Sequence, residues 1–171
     1  MDADTRAQGV PSSSSRGLRA LILSVAIIES IEALTGLPVL LGDLSEIPGP
    51  GLGGWTIIAS LVMRPVFAIA ALVLAIRGQM RNAVLALAAV VLVNWFNMLP
   101  SVVLHGLEFR GSGSLYASAH FLLSPLLALA AATLAWNNQR LGLAGFLASV
   151  PTLANVLGLI AFAILIMIYG F

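Results

Sequence analysis

The chain alternates long apolar runs with short polar breaks. Runs near 20–41, 55–76, 83–104, 116–136 and 142–169 are each long enough to cross roughly 30 Å of hydrocarbon, which takes about 20 helical residues. The breaks are polar or rich in glycine and proline: GDLSEIPGPGLGG (42–54), RGQMRN (77–82), HGLEFRGSGSL (105–115) and NNQRL (137–141). This pattern predicts an all-α polytopic membrane protein, a bundle of five transmembrane helices. Residues 1–19, MDADTRAQGVPSSSSRGLR, are polar, Ser-rich and short of core-forming side chains, which predicts a disordered cytoplasmic tail. Residues 20–171 then form a single transmembrane helical domain. The tail has some likeness to the start of a signal peptide. No small-x-small cleavage site follows it, however, and the apolar run outlasts a short h-region, so a retained first span is expected.

Composition strengthens the membrane assignment. The 171 residues are 60% hydrophobic and 9% charged, with mean hydropathy +1.04, whereas soluble domains carry about 25% charged residues. A fold in water would have too little polar surface to cover itself, so the expected partner is the lipid bilayer. The net charge of +1 argues against nucleic acid. With no cysteine, disulfides, thiolate metal sites and thiol catalysis are excluded.

Arginine placement predicts the orientation. Arg6, Arg16, Arg19, Arg77, Arg81 and Arg140 fall on the N-terminal side of the spans, while Arg110 lies opposite with Asp43, Glu46 and Glu108. By the positive-inside rule the N-terminus is in and the C-terminus out, in a cell membrane of bacterial inner-membrane type. Trp55, Tyr116, Tyr169 and Trp136 fall at span ends as interfacial aromatics do; Trp95 lies in mid-span.

A weak internal repeat runs at an offset of 60 residues. ASLVMRPVFAIAALVLAIR (59–77) aligns without gaps on AHFLLSPLLALAAATLAWN (119–137), with Pro65 on Pro125 and a polar residue before each proline. The repeat predicts two hairpins in the same orientation, spans 2–3 and 4–5, with span 1 as an addition.

Polar residues interrupt every span, and they do so at one depth. Counting a 1.5 Å rise per residue from the inner boundaries places Glu32 and Arg64 both roughly 18 Å in. Asn94, Asn97, Ser124, Thr152 and Asn155 fall within about one turn of that level, and His120 one turn further out. Glu29/Glu32, Ser60/Arg64, Asn94/Asn97, His120/Ser124 and Thr152/Asn155 are each spaced i,i+3 or i,i+4, so each pair shares a helix face. A charge facing lipid costs several kcal/mol, so these stripes are expected to turn inward and converge. One proline per span (Pro38, Pro65, Pro100, Pro125, Pro151) is compatible with bent helices around a cavity.

Arg64 holds its charge in almost any environment and needs a carboxylate at its depth. Glu29 and Glu32 supply two, leaving one negative charge over. That surplus points to a shared proton or a bound cation. The expected ligand- or proton-binding set is Glu29, Glu32, Arg64, Asn94, Asn97, His120 and Asn155, with Trp95 as a possible stacking surface. The leading reading is a small membrane protein that binds, and in one version transports, a proton, cation or small polar-headed molecule. One alternative is an accessory or assembly subunit of a larger membrane complex, meeting partner subunits or further copies of itself. Another is a membrane-embedded isomerase or lipid-modifying enzyme using Glu and His as acid and base. His105 and His120 invite a haem or metal reading, but one haem pocket needs ligands on opposing faces, and the repeated Glu-x-x-His of di-iron bundles is lacking. No cofactor or metal is predicted.

Overall fold

A computed structural model describes residues 13–36, 38, 41–42 and 52–170. Among these residues there is no strand, and five long helices make up the fold: α1 (Ser13–Thr35), α2 (Leu52–Ile76), α3 (Met80–His105), α4 (Ser112–Trp136) and α5 (Leu141–Tyr169). The last four are long and apolar enough to cross a membrane. α1 is not, because Arg16, Arg19, Glu29 and Glu32 punctuate it. The outward surface carries large apolar side chains on every helix, among them Ile31, Val66, Leu126, Phe146 and Ile160. In water such a surface would aggregate; it suits a multi-pass protein embedded in lipid.

Two expectations shift at the first span. Residues 13–19, expected in the tail, are the first turns of α1, while residues 1–12 lie outside the described ones. Pro38 falls beyond the end of α1 at Thr35, whereas Pro65, Pro100, Pro125 and Pro151 do sit inside their helices. The acidic outer residues Asp43 and Glu46 also lie outside the described residues.

The helices form an inner trio and two outer members. α1, α3 and α5 touch one another; α2 packs against α1 and α3, and α4 against α3 and α5. Small side chains make this close approach possible. Ala68, Ala71 and Ala75 of α2 are fully buried, and so are Ala128, Ala131 and Ala135 of α4, each pair separated by the predicted 60 residues.

The repeat extends into the turns. After α2, Gly78 N–H donates to the Ala75 carbonyl and Gln79 N–H to that of Leu74; after α4, Asn138 donates to Ala135 and Gln139 to Leu134. Both are Schellman caps, whose C′ residue must be left-handed. Gly78 (φ 77°) and Asn138 (φ 53°) meet that demand with the two residue types that tolerate it best. Arginines then cap the same carbonyl in both copies: Arg19 Nη2 donates to Ile76 O (2.9 Å) and Arg81 Nη2 to Trp136 O (3.0 Å).

Arg19 belongs to α1 and Arg81 to α3, so α1 stands to α2 as α3 stands to α4. The first helix is therefore a member of the repeat, correcting its expected place as an addition. The burial pattern agrees. Ile22, Val25, Ala26 and Glu29 of α1 are buried, as are Val84, Leu87, Ala88 and Val91 of α3, and Gly145, Ala148, Ser149 and Thr152 of α5. All three helices thus present the same register to the interior. The two hairpins, α1–α2 and α3–α4, are followed by a single helix, α5.

Candidate functional site

The repeat explains why polar residues share one depth. At the register of Glu29 stand Val91 and Thr152, and at that of Glu32 stand Asn94 and Asn155. On the outer helices the corresponding level holds Arg64 in α2 and Ser124 in α4.

Arg64 and the two glutamates meet as expected. One guanidinium nitrogen, Nη2, donates to Glu29 Oε2 at 3.0 Å and to Glu32 Oε2 at 2.7 Å. Glu29 is 6% exposed, and its second oxygen accepts from Thr152 Oγ1 at 2.6 Å. Charge-assisted hydrogen bonds of this kind are the strong ones, so Glu29 is tied on both sides, to α2 and α5. Glu32 is held less firmly. Its side chain is 27% exposed, and Arg64 is its hydrogen-bond partner among the described side chains. The two carboxylates therefore differ in their surroundings: Glu29 is bonded from both α2 and α5, and Glu32 from α2.

Two cavities touch this ion triad and a third lies beyond them. One of about 170 Å³ lies between α1, α2 and α3, lined by Glu32, Thr35, Ser60, Arg64, Asn94 and Asn97 together with Ala33, Gly36, Leu61 and Pro65. A central cleft of about 10 Å³ is walled by Glu29, Arg64, Val91, Asn94, His120, Pro151, Thr152 and Asn155; that is about the room one water needs. Arg64 Nε is buried without a protein partner, the kind of donor that ordered water satisfies. Beyond His120 an apolar groove of about 210 Å³ separates α4 from α5, lined by Tyr116, His120, Ser124, Leu127 and Ala154 among others.

The predicted residues thus divide among these spaces. Asn94 lines both the cavity and the cleft, Asn155 the cleft, and His120 the cleft and the groove. None of Asn94, Asn97, His120 or Asn155 makes a side-chain hydrogen bond to another described residue. Asn97 does not join the interior as its spacing from Asn94 suggests. It is exposed, and it lines both the cavity and a further hollow of about 430 Å³ near the His105 end. Trp95 lines none of these spaces: its ring stacks on Phe121 (centroids 5.3 Å apart) and meets Phe96 edge-on at 5.1 Å. Stacking on Phe121 makes it a packing residue in this conformation, and its indole N–H is buried without a partner.

Thr35, Ser60 and Thr152 were not in the predicted set, although Ser60 and Thr152 were noted in the polar stripes. Thr152 is the informative omission, since only a contact across 123 residues reveals that it fixes Glu29. Among the described residues no three His, Cys, Asp or Glu side chains gather closely enough to hold a metal ion. His105 stays at the bundle's end, its Nδ1 3.1 Å from Ser101 O. Comparison of the chain with protein-family models, with curated proteins and with solved structures found no match. The functional reading accordingly stands on the geometry.

Proposed function

We propose that this is a five-span membrane protein, N-terminus in and C-terminus out, whose α1–α2–α3 cavity binds a proton or a small cation at Glu32. That α1 crosses the bilayer with the rest is supported by its packing against α2, α3 and α5 and by the depth of Glu29 and Glu32 within the bundle. The orientation is supported by arginines at the turn end of the bundle, where Arg19 and Arg81 cap helices. There they also complement the helix dipoles.

The observation that carries the reading is the convergence of two carboxylates on one guanidinium nitrogen. A structural ion pair needs one glutamate, and Glu29, locked by Arg64 and Thr152, is sufficient. Glu32 adds a negative charge in a poorly solvated place, where an isolated charge is expensive and intramembrane ionisable groups mark pathways for ions and protons. A proton or a cation on Glu32 removes that cost. The cavity beside it has space for about five waters at the volume water occupies in the liquid, with hydroxyl and amide groups to share the coordination.

Cation- or proton-driven flux in proteoliposomes tests this. Glu32→Gln keeps the shape and removes the surplus charge, so flux is expected to fall to the level of protein-free vesicles while the purified protein retains its thermal stability. Unchanged flux in Glu32→Gln defeats the proposal.

A further inference from the structure

The cavity has a neighbour across Asn97. Asn97 belongs both to its wall and to that of the 430 Å³ vestibule, where Ser101, His105, Glu108 and Ser118 also stand. Arg64 and Asn94 in turn belong to both the cavity and the central cleft. Polar side chains therefore lead stepwise from the His105 end of the bundle to Glu32 and on to Glu29. Among the described residues the vestibule's acidic side chain is Glu108, which has the sign that draws cations inward.

The opposite half is built differently. Val25, Ala71, Ala75, Ala83, Leu87 and Ala148 are at most 1% exposed and lie in one apolar cluster. None of them lines any of the cavities described above. Alanines at helix contacts bring backbones close, and an interior packed at this density has few voids of water size. The Ser149 hydroxyl, buried in that half, is spent on the Gly145 carbonyl of its own helix, and none of the cavities described above reaches it.

We propose that the Glu32 site is single-ended in this conformation: a monovalent cation reaches it through the Asn97 vestibule from the His105 end, and the arginine-bearing end is sealed by the alanine-rich core. A monovalent ion matches the single surplus charge of the Glu29–Arg64–Glu32 triad. The inference rests on the proposed function for the identity of the ligand, while the route itself is read independently of it.

The cysteine-free chain lets each introduced thiol report alone. In proteoliposomes, Gln79→Cys marks the arginine-bearing end, and a charged membrane-impermeant methanethiosulfonate is applied to one face at a time. From the face opposite Gln79→Cys, the reagent is expected to modify Ser101→Cys fastest, then Asn97→Cys, then Ser60→Cys. From the Gln79 face none of the three should react, and Leu87→Cys should react from neither. Asn94→Cys serves as the second cavity position if Ser60→Cys folds poorly. Modification of the cavity thiols from the Gln79 face, or their failure to react from either face while Ser101→Cys does, overturns the route. Flux in Glu32→Gln fails or succeeds separately, so the route and the ligand-binding reading can be told apart.

Discussion

The two halves of the bundle have the same plan and opposite interiors. In the α1–α2–α3 half, the shared register carries Glu29, Glu32 and Ala33 on the inner helix and Leu61 and Arg64 on the outer one. In the α3–α4–α5 half, the same positions carry Val91, Asn94 and Trp95, then Phe121 and Ser124. Where the first half has three charges, the second has none. Where the first has Ala33 and Leu61 lining a cavity of about 170 Å³, the second has Trp95 stacked on Phe121. The comparison separates what the scaffold needs from what has been added to it. An uncharged interior with Trp95 packed on Phe121 occupies the same register in the second half, although a groove of about 210 Å³ lies between α4 and α5 there. The charges and the cavity in the other half are what the proposed function draws on.

Removing Arg64 should break the comparison most severely. Arg64→Ser, which copies the second half's residue, leaves Glu29 and Glu32 facing each other without a counter-charge. Breaking a buried ion pair from one side costs about 3–5 kcal/mol. Copying the remaining residues should restore most of that loss: Glu29→Val and Glu32→Asn on top of Arg64→Ser remove the stranded carboxylates. Thr152 would then turn its hydroxyl to its own helix, as Ser149 does toward the Gly145 carbonyl at 2.7 Å. Unfolding in detergent measures the stabilities, and flux should be absent from both the single and the triple variant. A triple variant no more stable than Arg64→Ser would mean that the ion triad holds the helices together, and that the two halves are not interchangeable.

Filling the cavity tests the other difference. Ala33→Trp with Leu61→Phe writes the second half's aromatic pair into the first. Overpacking a well-filled core typically costs about 1–3 kcal/mol, but here the rings would enter existing space, so a loss of about 1 kcal/mol or less is expected. Flux and modification of Ser60→Cys should both fall sharply, although every charged residue remains. A large loss of stability with unaltered flux would show that the open space is not where the ligand sits.

How much of this was legible in the residues depends on how loudly each signal speaks. Glu29, Glu32 and Arg64 stand out in apolar runs because the cost of placing charge in lipid is so high, and their convergence follows from that cost together with spacing. Asn97 shows the limit of the same reasoning. Its i,i+3 spacing from Asn94 puts both on one broad face, yet Asn97 stands beside the vestibule and ends exposed. Trp95 reads as a packing ring with ligand stacking as the alternative, but its partner, Phe121, lies on another helix and nothing local names it. The wider repeat was harder still. Pro65 and Pro125 betray the outer helices, but the inner ones align Glu32 with Asn94 and Asn155, residues linked by register and not by chemistry. Small buried residues such as Ala26, Ala88 and Ser149 carry that register, and a composition this rich in alanine conceals it.

The smallest effect tests the repeat itself. Arg19 and Arg81 cap equivalent carbonyls, of Ile76 and Trp136, at nearly equal distances. A cation near a helix C-terminus contributes about 0.3–1 kcal/mol where it is exposed, so Arg19→Gln and Arg81→Gln should each destabilise the protein by that order. They should not be identical. The Arg81 guanidinium also lies over the Trp136 ring, 5.7 Å from its centroid, and an exposed cation–π contact adds about 0.5–1 kcal/mol. Ile76 gives Arg19 no such face. Arg81→Gln is therefore expected to cost more than Arg19→Gln in the native chain and about the same in a Trp136→Ile background, where the second cap is reduced to the first. A difference that survives Trp136→Ile would mean that the two arginines do unlike work, and that the equivalence of α1 with α3 stops short of their ends.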